Sequence, residues 1–373
     1  MGTVRPKIVT VFGTRPEAVK MAPVIDALAR SAFDYRVVVT GQHREMLDQV
    51  LKLFAIKPHY DLNIMQHGQT LTDVTTRVLT GLEPILQQEQ PHAVLVHGDT
   101  TTALGAALAA FYQQIPVGHV EAGLRTADSY DPFPEEMNRR LVDRLADYHF
   151  APTQTAADNL SAEGANPAYV FVTGNTVIDA LLKVVKSDYR FRDPHLAQLT
   201  QSRCRLLLVT THRRENIGER MAGIYRALRR IIAEHPDVEL VFSLHKNPAI
   251  RKQVRLALGN TARIHLIEPP EYVEFANLMN HAYFILTDSG GIQEEAPALG
   301  KPVLVLRETT ERPEGISAGT LWRVGTAEEE IVAATEALLG DTALYQRMAQ
   351  APNPYGDGKA AQRIITHLTE LLL

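Results

Sequence analysis

The chain has 373 residues, enough for two domains with a hydrophobic core in each. Its 38 Lys and Arg residues against 43 Asp and Glu residues give a formal net charge of −5. This balance, without a long basic run, argues against binding to nucleic acid or to an anionic membrane surface. The one cysteine, Cys204, excludes an intrachain disulfide. We find no apolar stretch of about 20 residues and no signal peptide, so we expect a cytoplasmic protein.

Short runs rich in β-forming residues alternate with longer amphipathic stretches, a pattern typical of βαβ units and of a mostly parallel sheet. In the first half of the chain, the predicted strands are Lys7–Gly13, Arg36–Thr40, Ala93–Gly98, Pro116–Glu121, Tyr148–Pro152 and Tyr169–Thr173. The predicted helices are Glu17–Ser31, Arg44–Leu53, Leu71–Gln88, Thr100–Gln113 and Glu135–Ala146. Thr153 is expected to cap one more helix.

From Val184 to Arg203 the pattern becomes polar, and the alternation restarts at Leu206. We therefore predict one domain over residues 1–175, joined by a C-terminal helix over 359–373, and a second domain over 176–358. The predicted strands of the second domain are Leu206–Thr211, Glu239–Leu244, Ile264–Leu266, Phe284–Thr287 and Pro302–Leu306. The predicted helices after residue 205 are Ile217–Glu234, Pro248–Leu258, Tyr272–Asn280, Gln293–Leu299, Glu328–Leu339 and Lys359–Leu372.

Ligands of open parallel sheets bind beyond the carboxyl ends of the strands, so the residues that follow each strand are the candidates for function. After the first strand, Pro16 suits the first position of a helix, and Arg15 then stands at a helix N-terminus, where an anion is attracted. Lys20 lies one turn further along the same helix. The alternative interpretation is a solvated helix start with a pair between Glu17 and Lys20.

Three carboxylates follow other strands of the first domain. Glu121 stands at the end of a buried strand and has no helix to cap, which favours function. Asp99 could instead cap the helix that follows it, and Glu135 could simply complement a helix dipole in a first turn. If the three side chains meet, mutual repulsion and burial would raise some of their pKa values, as general acid and base catalysis requires.

The second domain carries the strongest single signal, Asp288-Ser289-Gly290-Gly291, where a strand ends and a helix begins. The two glycines would let backbone N–H groups approach phosphate oxygens, and Glu294 or Glu295 would accept hydrogen bonds from a ribose. His212 and its two arginine neighbours suit a phosphate, although a basic loop in solvent is the alternative. Arg312 follows the next strand and would reach the same diphosphate.

Several motifs of other enzyme classes are missing from the sequence. There is no G-x-G-x-x-G fingerprint for NAD and no P-loop for ATP-driven chemistry. The Cys and His residues do not have zinc-site spacing. We therefore expect neither a nicotinamide cofactor nor an obligatory metal ion.

Nine motifs together resemble the non-hydrolysing UDP-N-acetylglucosamine 2-epimerases. In order from residue 13 to 314 they are GTRPE, GQH, HGDT, HVEAGLR, PFPEEMNR, THRREN, HKNP, DSGGIQEE and TERPE. The resemblance implies an α/β fold of two Rossmann-like, GT-B-like domains with the active site in the interdomain cleft, and commonly a homodimer. It also implies that UDP-N-acetylglucosamine and UDP-N-acetylmannosamine are interconverted for surface polysaccharide.

The resemblance also assigns residues. Its catalytic or near-catalytic positions match Asp99, Glu121, Glu135 and His212. Its UDP-binding positions match Arg15, Lys20, Phe275, Ser289, Gly290, Gly291, Glu295 and Arg312. Many relatives use a second UDP-N-acetylglucosamine as an allosteric activator, at positions that match Gln42, Arg213 and His245. The chain departs from some relatives at Glu45 and Pro270, where they have Gln, and at Gly68, where they have Arg.

The chemistry explains why such a site needs carboxylates and cations. No carbonyl adjoins the sugar C2 to stabilise a carbanion, so we expect loss of UDP from C1 together with the C2 proton. UDP then adds back to the resulting 2-acetamidoglucal. This route needs acid and base groups on both faces of the sugar and a cationic site for the diphosphate. The alternatives are a GT-B glycosyltransferase, which needs an acceptor, a hydrolysing 2-epimerase, and a UDP-sugar sensor without catalysis.

Overall fold

The computed structural model describes residues 5–211, 213, 216, 218–245 and 247–373. The chain divides into two compact units. Domain one comprises residues 1–180 and 355–373, and domain two comprises residues 181–354. None of the helices within the described ranges combines the length and the apolar character needed to span a bilayer.

Domain one is built on a parallel sheet of seven strands. They are β1 (Lys7–Phe12), β2 (Asp34–Val39), β3 (Tyr60–Asp61), β4 (Ala93–His97), β5 (Val117–Val120), β6 (Tyr148–Ala151) and β7 (Val170–Val172). Their order is β3-β2-β1-β4-β5-β6-β7. The helices are α1 (Arg15–Ala29), α2 (Arg44–Leu53), α3 (Leu71–Glu89), α4 (Thr101–Tyr112), α5 (Glu135–Leu145), α6 (Gln154–Ala162) and α7 (Thr176–Val184), with a 3-10 turn at Pro167–Tyr169.

Domain two repeats this organisation with a parallel sheet of six strands in the order β10-β9-β8-β11-β12-β13. The strands are β8 (Arg205–Thr210), β9 (Val238–Ser243), β10 (Ile264–Ile267), β11 (Phe284–Thr287), β12 (Val303–Val305) and β13 (Leu321–Arg323). The helices are α8 (Pro194–Gln201), α9 (Glu219–Glu234), α10 (Pro248–Leu258), α11 (Tyr272–His281), α12 (Gly290–Ala298), α13 (Pro313–Ser317), α14 (Glu328–Gly340) and α15 (Thr342–Gln350).

Both sheets have the strand order of a Rossmann fold. The first three strands are added toward one edge of the sheet, and the later strands are added on the other side of the first strand. This reversal lies between β1 and β4 in domain one and between β8 and β11 in domain two. The central strands β1, β4 and β5 are almost entirely buried, as expected for a parallel sheet whose two faces are covered by helices. Helix α4 presents small residues, and a side chain at Gly105 would lie 2.9 Å from Val78 of α3, so these two helices pack closely. The predicted fold class, α/β with two Rossmann-like parallel-sheet domains, is confirmed.

The C-terminal helix, α16 (Ala360–Leu372), packs against α1 in domain one. Its first turn is held by Asp179, which accepts hydrogen bonds from the N–H groups of Ala360 at 3.2 Å and Ala361 at 2.9 Å. A carboxylate at this position satisfies helix donors that otherwise have no partner and complements the helix dipole.

Some elements differ from the sequence prediction. The strands β3 and β13 were missed because each has only two or three residues. The polar region after Val184 contains α8, which starts with Pro194 and is capped by Asp193. The helices α7, α13 and α15 were also missed, and α12 begins at Gly290 rather than at Gln293. Short elements whose apolar residues contact only one neighbour carry too little periodicity to be predicted.

Substitution of Gly123 tests how closely the segment after β5 packs against α6. Its φ is +85°, and a β-carbon there would lie 2.2 Å from the carbonyl oxygen of Ala156. We expect Gly123→Ala to lower the free energy of unfolding by about 2–4 kcal/mol, because a steric clash adds to left-handed backbone strain. Urea denaturation measures this change.

The matched control is Gly164→Ala, where φ is +88° and no atom lies within 4 Å of the added carbon. Strain alone should cost about 1–2 kcal/mol at that position. Equal losses of unfolding free energy in Gly123→Ala and Gly164→Ala would show that the contact with Ala156 does not destabilise Gly123→Ala.

Candidate active site

A pocket of about 530 Å³ lies at the carboxyl ends of the strands in domain one. It is formed by the segments that follow β1, β2, β4 and β5 and by the start of α5. Its lining includes six of the residues predicted from the sequence: Arg15, Lys20, Gln42, Asp99, Glu121 and Glu135. The fold therefore brings the three predicted carboxylates together with two cations.

Glu121 is the most constrained carboxylate of this pocket. It is not a glycine, yet it adopts a left-handed φ of 68°, an unfavourable backbone conformation that is typical of functional sites. Its side chain is 9% exposed and forms an ion pair with Lys20. The same oxygen, Oε2, accepts a hydrogen bond from Nδ2 of Asn175 at 2.8 Å. Burial alone would raise the pKa of Glu121, but the charge of Lys20 and the hydrogen bonds from Lys20 and Asn175 outweigh it and lower the pKa.

Asp99 does not cap the helix that follows it. The N-cap of α4 is Thr100, whose hydroxyl accepts a hydrogen bond from the N–H of Ala103 at 3.0 Å. The Asp99 carboxylate instead pairs with Arg139 of α5 at 2.5 Å and is 26% exposed. Burial raises its pKa, although Arg139 opposes the rise. The capping interpretation of Asp99 is therefore wrong.

The two acidic residues at the start of α5 have different surroundings. Glu136 is fully buried and accepts hydrogen bonds from the N–H of Thr126 at 3.0 Å and from Nε of Arg140 at 2.7 Å. Glu135 lines the pocket. Glu136 therefore holds the preceding loop, while Glu135 is placed to meet a ligand.

Glu17 holds the turn that presents Arg15. This buried carboxylate accepts hydrogen bonds from the N–H groups of Gly13 at 3.0 Å and Thr14 at 2.8 Å. Its other oxygen accepts one from the hydroxyl of Thr100 at 2.7 Å, which ties the start of α1 to the start of α4. Because Glu17 is buried and Lys20 pairs with Glu121, the interpretation of a solvated Glu17–Lys20 pair is wrong.

In domain two, α12 begins at Gly290 directly after β11, with Ser289 as its N-cap. A β-carbon at Gly290 would lie 3.6 Å from Nη2 of Arg213 and 3.8 Å from Nη2 of Arg312. The helix N-terminus thus has two guanidinium groups beside it. Helix dipole, free N–H groups and arginines together make an anion site.

A buried carboxylate holds one of these arginines in place. Asp288 has no solvent exposure and accepts hydrogen bonds from the N–H of Arg213 at 3.0 Å and from Nδ2 of Asn216 at 3.1 Å. On the other side, Arg312 forms an ion pair with Glu294. Glu295 accepts a hydrogen bond from the hydroxyl of Tyr272 at 3.3 Å, and Phe275 is half-buried on the same helix as Tyr272. Glu294 therefore contacts the arginine, and Glu295 contacts Tyr272.

The remaining predicted residues are distributed as follows. His212 lies outside the described residues. Of the three positions assigned to a second ligand, Gln42 lies in domain one and accepts a hydrogen bond from Thr102 at 2.7 Å. Arg213 and His245 lie in domain two, where Nδ1 of His245 accepts a hydrogen bond from the N–H of Asn247 at 3.2 Å. The roles assigned to all these residues stay predictions.

Several groups around the carboxylates were not predicted from the sequence. Arg139 had a usable signal, since it stands one helical turn after Glu135 on α5. His97 belongs to a quoted motif but was not singled out. Asn175 gave no signal, because it follows a different strand from Glu121 and meets it only through the tertiary fold.

Comparison with known proteins gives the family. The sequence profile of the family described as UDP-N-acetylglucosamine 2-epimerase matches residues 26–369. The chain belongs to this family. The UDP-N-acetylglucosamine 2-epimerase of Escherichia coli K12 is 55% identical over 376 residues, covering 97% of this chain and 98% of that protein. The enzyme of Bacillus subtilis is 53% identical, covering 97% of this chain and 94% of that protein.

Solved structures of the family agree with the fold. The UDP-N-acetylglucosamine 2-epimerase from Neisseria meningitidis, solved with UDP-N-acetylglucosamine bound, has a TM-score of 0.85 at 48% identity, covering 98% of this chain and all of that chain. The Staphylococcus aureus enzyme MnaA, solved with UDP, has a TM-score of 0.88 at 50% identity, covering 98% and 97%. The resemblance seen in the sequence motifs is therefore confirmed at the level of the family.

The ion pair in the domain-one pocket leads to a prediction about protonation. In Lys20→Met the largest opposing influence on the buried carboxyl is lost, so we expect the pKa of Glu121 to rise. Carbon-13 NMR titration of the glutamate side-chain carboxyls measures it, with Glu121→Gln identifying the signal. Lys52→Met, on the exposed side of α2, should leave this pKa unchanged. An unaltered Glu121 titration in Lys20→Met would contradict the role given to the ion pair.

Proposed function

We propose that this chain interconverts UDP-N-acetylglucosamine and UDP-N-acetylmannosamine at C2 without net hydrolysis. The observation that carries the proposal is the pocket in which Asp99, Glu121 and Glu135 meet, in a chain that belongs to the 2-epimerase family. Epimerisation through loss of a C–H proton requires one group that removes the proton and another that returns it from the opposite face. Three carboxylates in one pocket supply these groups.

The proposed reaction passes through 2-acetamidoglucal. A carboxylate takes the C2 proton, and the electron pair of the C2–H bond forms the C1–C2 double bond. The C1–O bond breaks at the same time, and UDP leaves with the electron pair of the C1–O bond. In the return step, UDP oxygen bonds to C1 and a proton bonds to C2 on the other face. No electron is gained or lost overall, so the reaction as proposed needs neither a nicotinamide nor an obligatory metal ion.

The anion site of domain two would hold UDP during this step. A diphosphate leaving group gains negative charge as the C1–O bond breaks, and the α12 N-terminus with Arg213 and Arg312 would stabilise it. The Neisseria and Staphylococcus structures, which are of proteins bound to UDP-N-acetylglucosamine and to UDP, support this ligand. The proposal requires that one substrate molecule reaches both the domain-one pocket and the anion site. His212 is proposed to act on the same substrate molecule.

Three further properties belong to the same proposal. The enzyme works in the cytoplasm, where nucleotide sugars are made. It acts as a homodimer. A second UDP-N-acetylglucosamine activates it through Gln42, Arg213 and His245, and sigmoidal dependence of the rate on substrate concentration is the expected sign of this activation.

Proton NMR of the purified protein with UDP-N-acetylglucosamine in D2O tests the reaction. We expect UDP-N-acetylmannosamine with deuterium at C2, because solvent deuterons exchange with the carboxyl that returns the proton. Glu121→Gln should lower the rate ~10²–10⁴-fold while UDP still binds.

Each rival function gives a different result in this experiment. Free N-acetylmannosamine and UDP would indicate a hydrolysing enzyme. Reaction only after an acceptor is added would indicate a glycosyltransferase, and binding without turnover would indicate a UDP-sugar sensor. A product without deuterium at C2 would contradict the elimination route, and near-normal activity of Glu121→Gln would remove that residue from the mechanism.

Gly290→Ala tests the anion site of domain two. The added methyl group would make only ordinary contacts with the arginines, at 3.6 and 3.8 Å, so the fold should be kept. It would occupy the space in front of the helix N–H groups, and we expect UDP to bind about 10–100-fold more weakly. Isothermal titration calorimetry with UDP measures the loss. Gly340→Ala in α14, with no atom within 4 Å of the added carbon, should keep wild-type affinity.

A further inference from the structure

His97 is buried against the carboxylates of the domain-one pocket and has an unusual environment. It ends β4 and is 3% exposed. Neither ring nitrogen forms a hydrogen bond with any described residue. Almost all buried polar side chains are hydrogen-bonded, and leaving one unpaired costs about 1–3 kcal/mol. Such a cost is retained where a group gains its partner during function.

The carboxylate of Glu121 lies close to the ring. Nε2 of His97 lies 3.8 Å from Oε2 of Glu121, which is about 1 Å too far for a hydrogen bond. The other titratable groups that act on His97 are Lys20 and the ring of His119. Burial lowers the pKa of His97 to about 3, so the ring is neutral near pH 7. A neutral imidazole has one N–H and one bare nitrogen that can accept a hydrogen bond.

Glu121 has suitable partners only for its ionised form. Lys20 and Asn175 both donate to Oε2, and an ammonium group attracts a carboxylate but not a neutral carboxyl. Yet Glu121 must carry a proton in one half of the proposed cycle, whether it removes the proton from C2 or returns it. The O–H group of a buried, protonated carboxyl then needs an acceptor.

Other groups close to Glu121 are already engaged. His119 has one ring nitrogen 2.6 Å from Oδ1 of Asp143 and the other 2.8 Å from the carbonyl oxygen of Gly98. The carboxylate of Asp99 pairs with Arg139. His97 is therefore the buried acceptor that a protonated Glu121 can reach with a small side-chain rotation.

We propose that His97 is a positioning residue for the proton transfer, and that its bare ring nitrogen accepts the hydrogen bond of the protonated Glu121 carboxyl. When the C2–H bond breaks, the proton moves to one Glu121 oxygen, and rotation of the carboxyl turns its O–H toward His97. The reverse rotation presents the proton to the sugar. His97 itself takes up no proton and does not touch the substrate. This inference rests on the proposed epimerase activity.

The test compares two substitutions at His97. His97→Leu removes the acceptor, and we expect kcat to fall about 10–100-fold with little change in KM, because the lost hydrogen bond acts on the transferred proton and not on binding. His97→Gln keeps an acceptor on a side chain of similar reach and should recover part of this loss. The matched control is His149→Leu, which removes another buried histidine with an unpaired ring nitrogen, on β6, and should keep kcat near the wild-type value.

Two readouts separate positioning from a purely structural role. In the Glu121→Gln background, His97→Leu should cause no further loss, because His97 acts through Glu121. In the otherwise wild-type protein, removing an acceptor of the carboxyl proton disfavours the protonated form and lowers the pKa of Glu121 in the complex. The acidic limb of the kcat profile should therefore move to lower pH. Lys20, Asp99 and His119, the charged or titratable neighbours of this pair, are unchanged in the variant.

These experiments distinguish failure of the His97 proposal from failure of the proposed epimerase activity. If the wild-type protein forms no UDP-N-acetylmannosamine, the epimerase proposal fails and the inference about His97 fails with it. If the wild type is active but the losses from His97→Leu and Glu121→Gln multiply, His97 does not act through Glu121. Equal kcat in His97→Leu and the wild type would also overturn the proposal. Should His97→Leu not fold, His97→Phe, which keeps a planar ring but has no acceptor nitrogen, gives the same comparison in both backgrounds.

Discussion

The ion pair between Lys20 and Glu121 joins two requirements that conflict in a buried site. A carboxylate without water needs a cation or several donors, since burial otherwise favours its neutral form. A catalytic acid or base, however, must exchange a proton near neutral pH. In the structure, Lys20 and Asn175 resolve the first requirement and keep Glu121 ionised. The second is met only if the surroundings of Glu121 change during reaction, and the unpaired ring of His97 is the group that we propose accepts the hydrogen bond of the protonated Glu121 carboxyl.

The topology of the sheet places these groups together. Arg15 and Lys20 follow β1, Asp99 follows β4, and Glu121 follows β5, three strands that are neighbours in space although helices separate them in sequence. Because the strands are parallel, their carboxyl ends meet at one edge. Buried carboxylates such as Glu17 and Glu136 then hold the loops by hydrogen bonds to backbone N–H groups. These hydrogen bonds hold the loops that form the pocket, and polar side chains of those loops face the space where a ligand would lie.

Domain two uses the same fold for different chemistry. Its corresponding switch point, between β8 and β11, carries a glycine-rich helix start with two arginines rather than a group of acid and base side chains. Asp288 and Glu294 hold these arginines, so that the positive charge is placed by buried or partly buried carboxylates. One topology therefore carries a pocket lined by carboxylates in one domain and a helix N-terminus flanked by arginines in the other, and a few residues after the strands make the difference.

The sequence by itself determined the alternation of strands and helices, the parallel sheets, the family, and six of the residues that line the domain-one pocket. These follow from apolar periodicity and from short motifs, both of which are local properties of the chain. It left open whether Asp99 caps the helix that follows it and whether Glu17 and Lys20 form a solvated pair.

Only the tertiary structure decided those cases, and it alone revealed the partners of Glu121. Lys20 is 101 positions from Glu121 in the chain, and Asn175 is 54 positions away. Hydrogen bonds, ion pairs and the pKa values that depend on them are set by distances of a few ångströms through space. Such distances exist only after the sheet has assembled, which is why no motif could supply them.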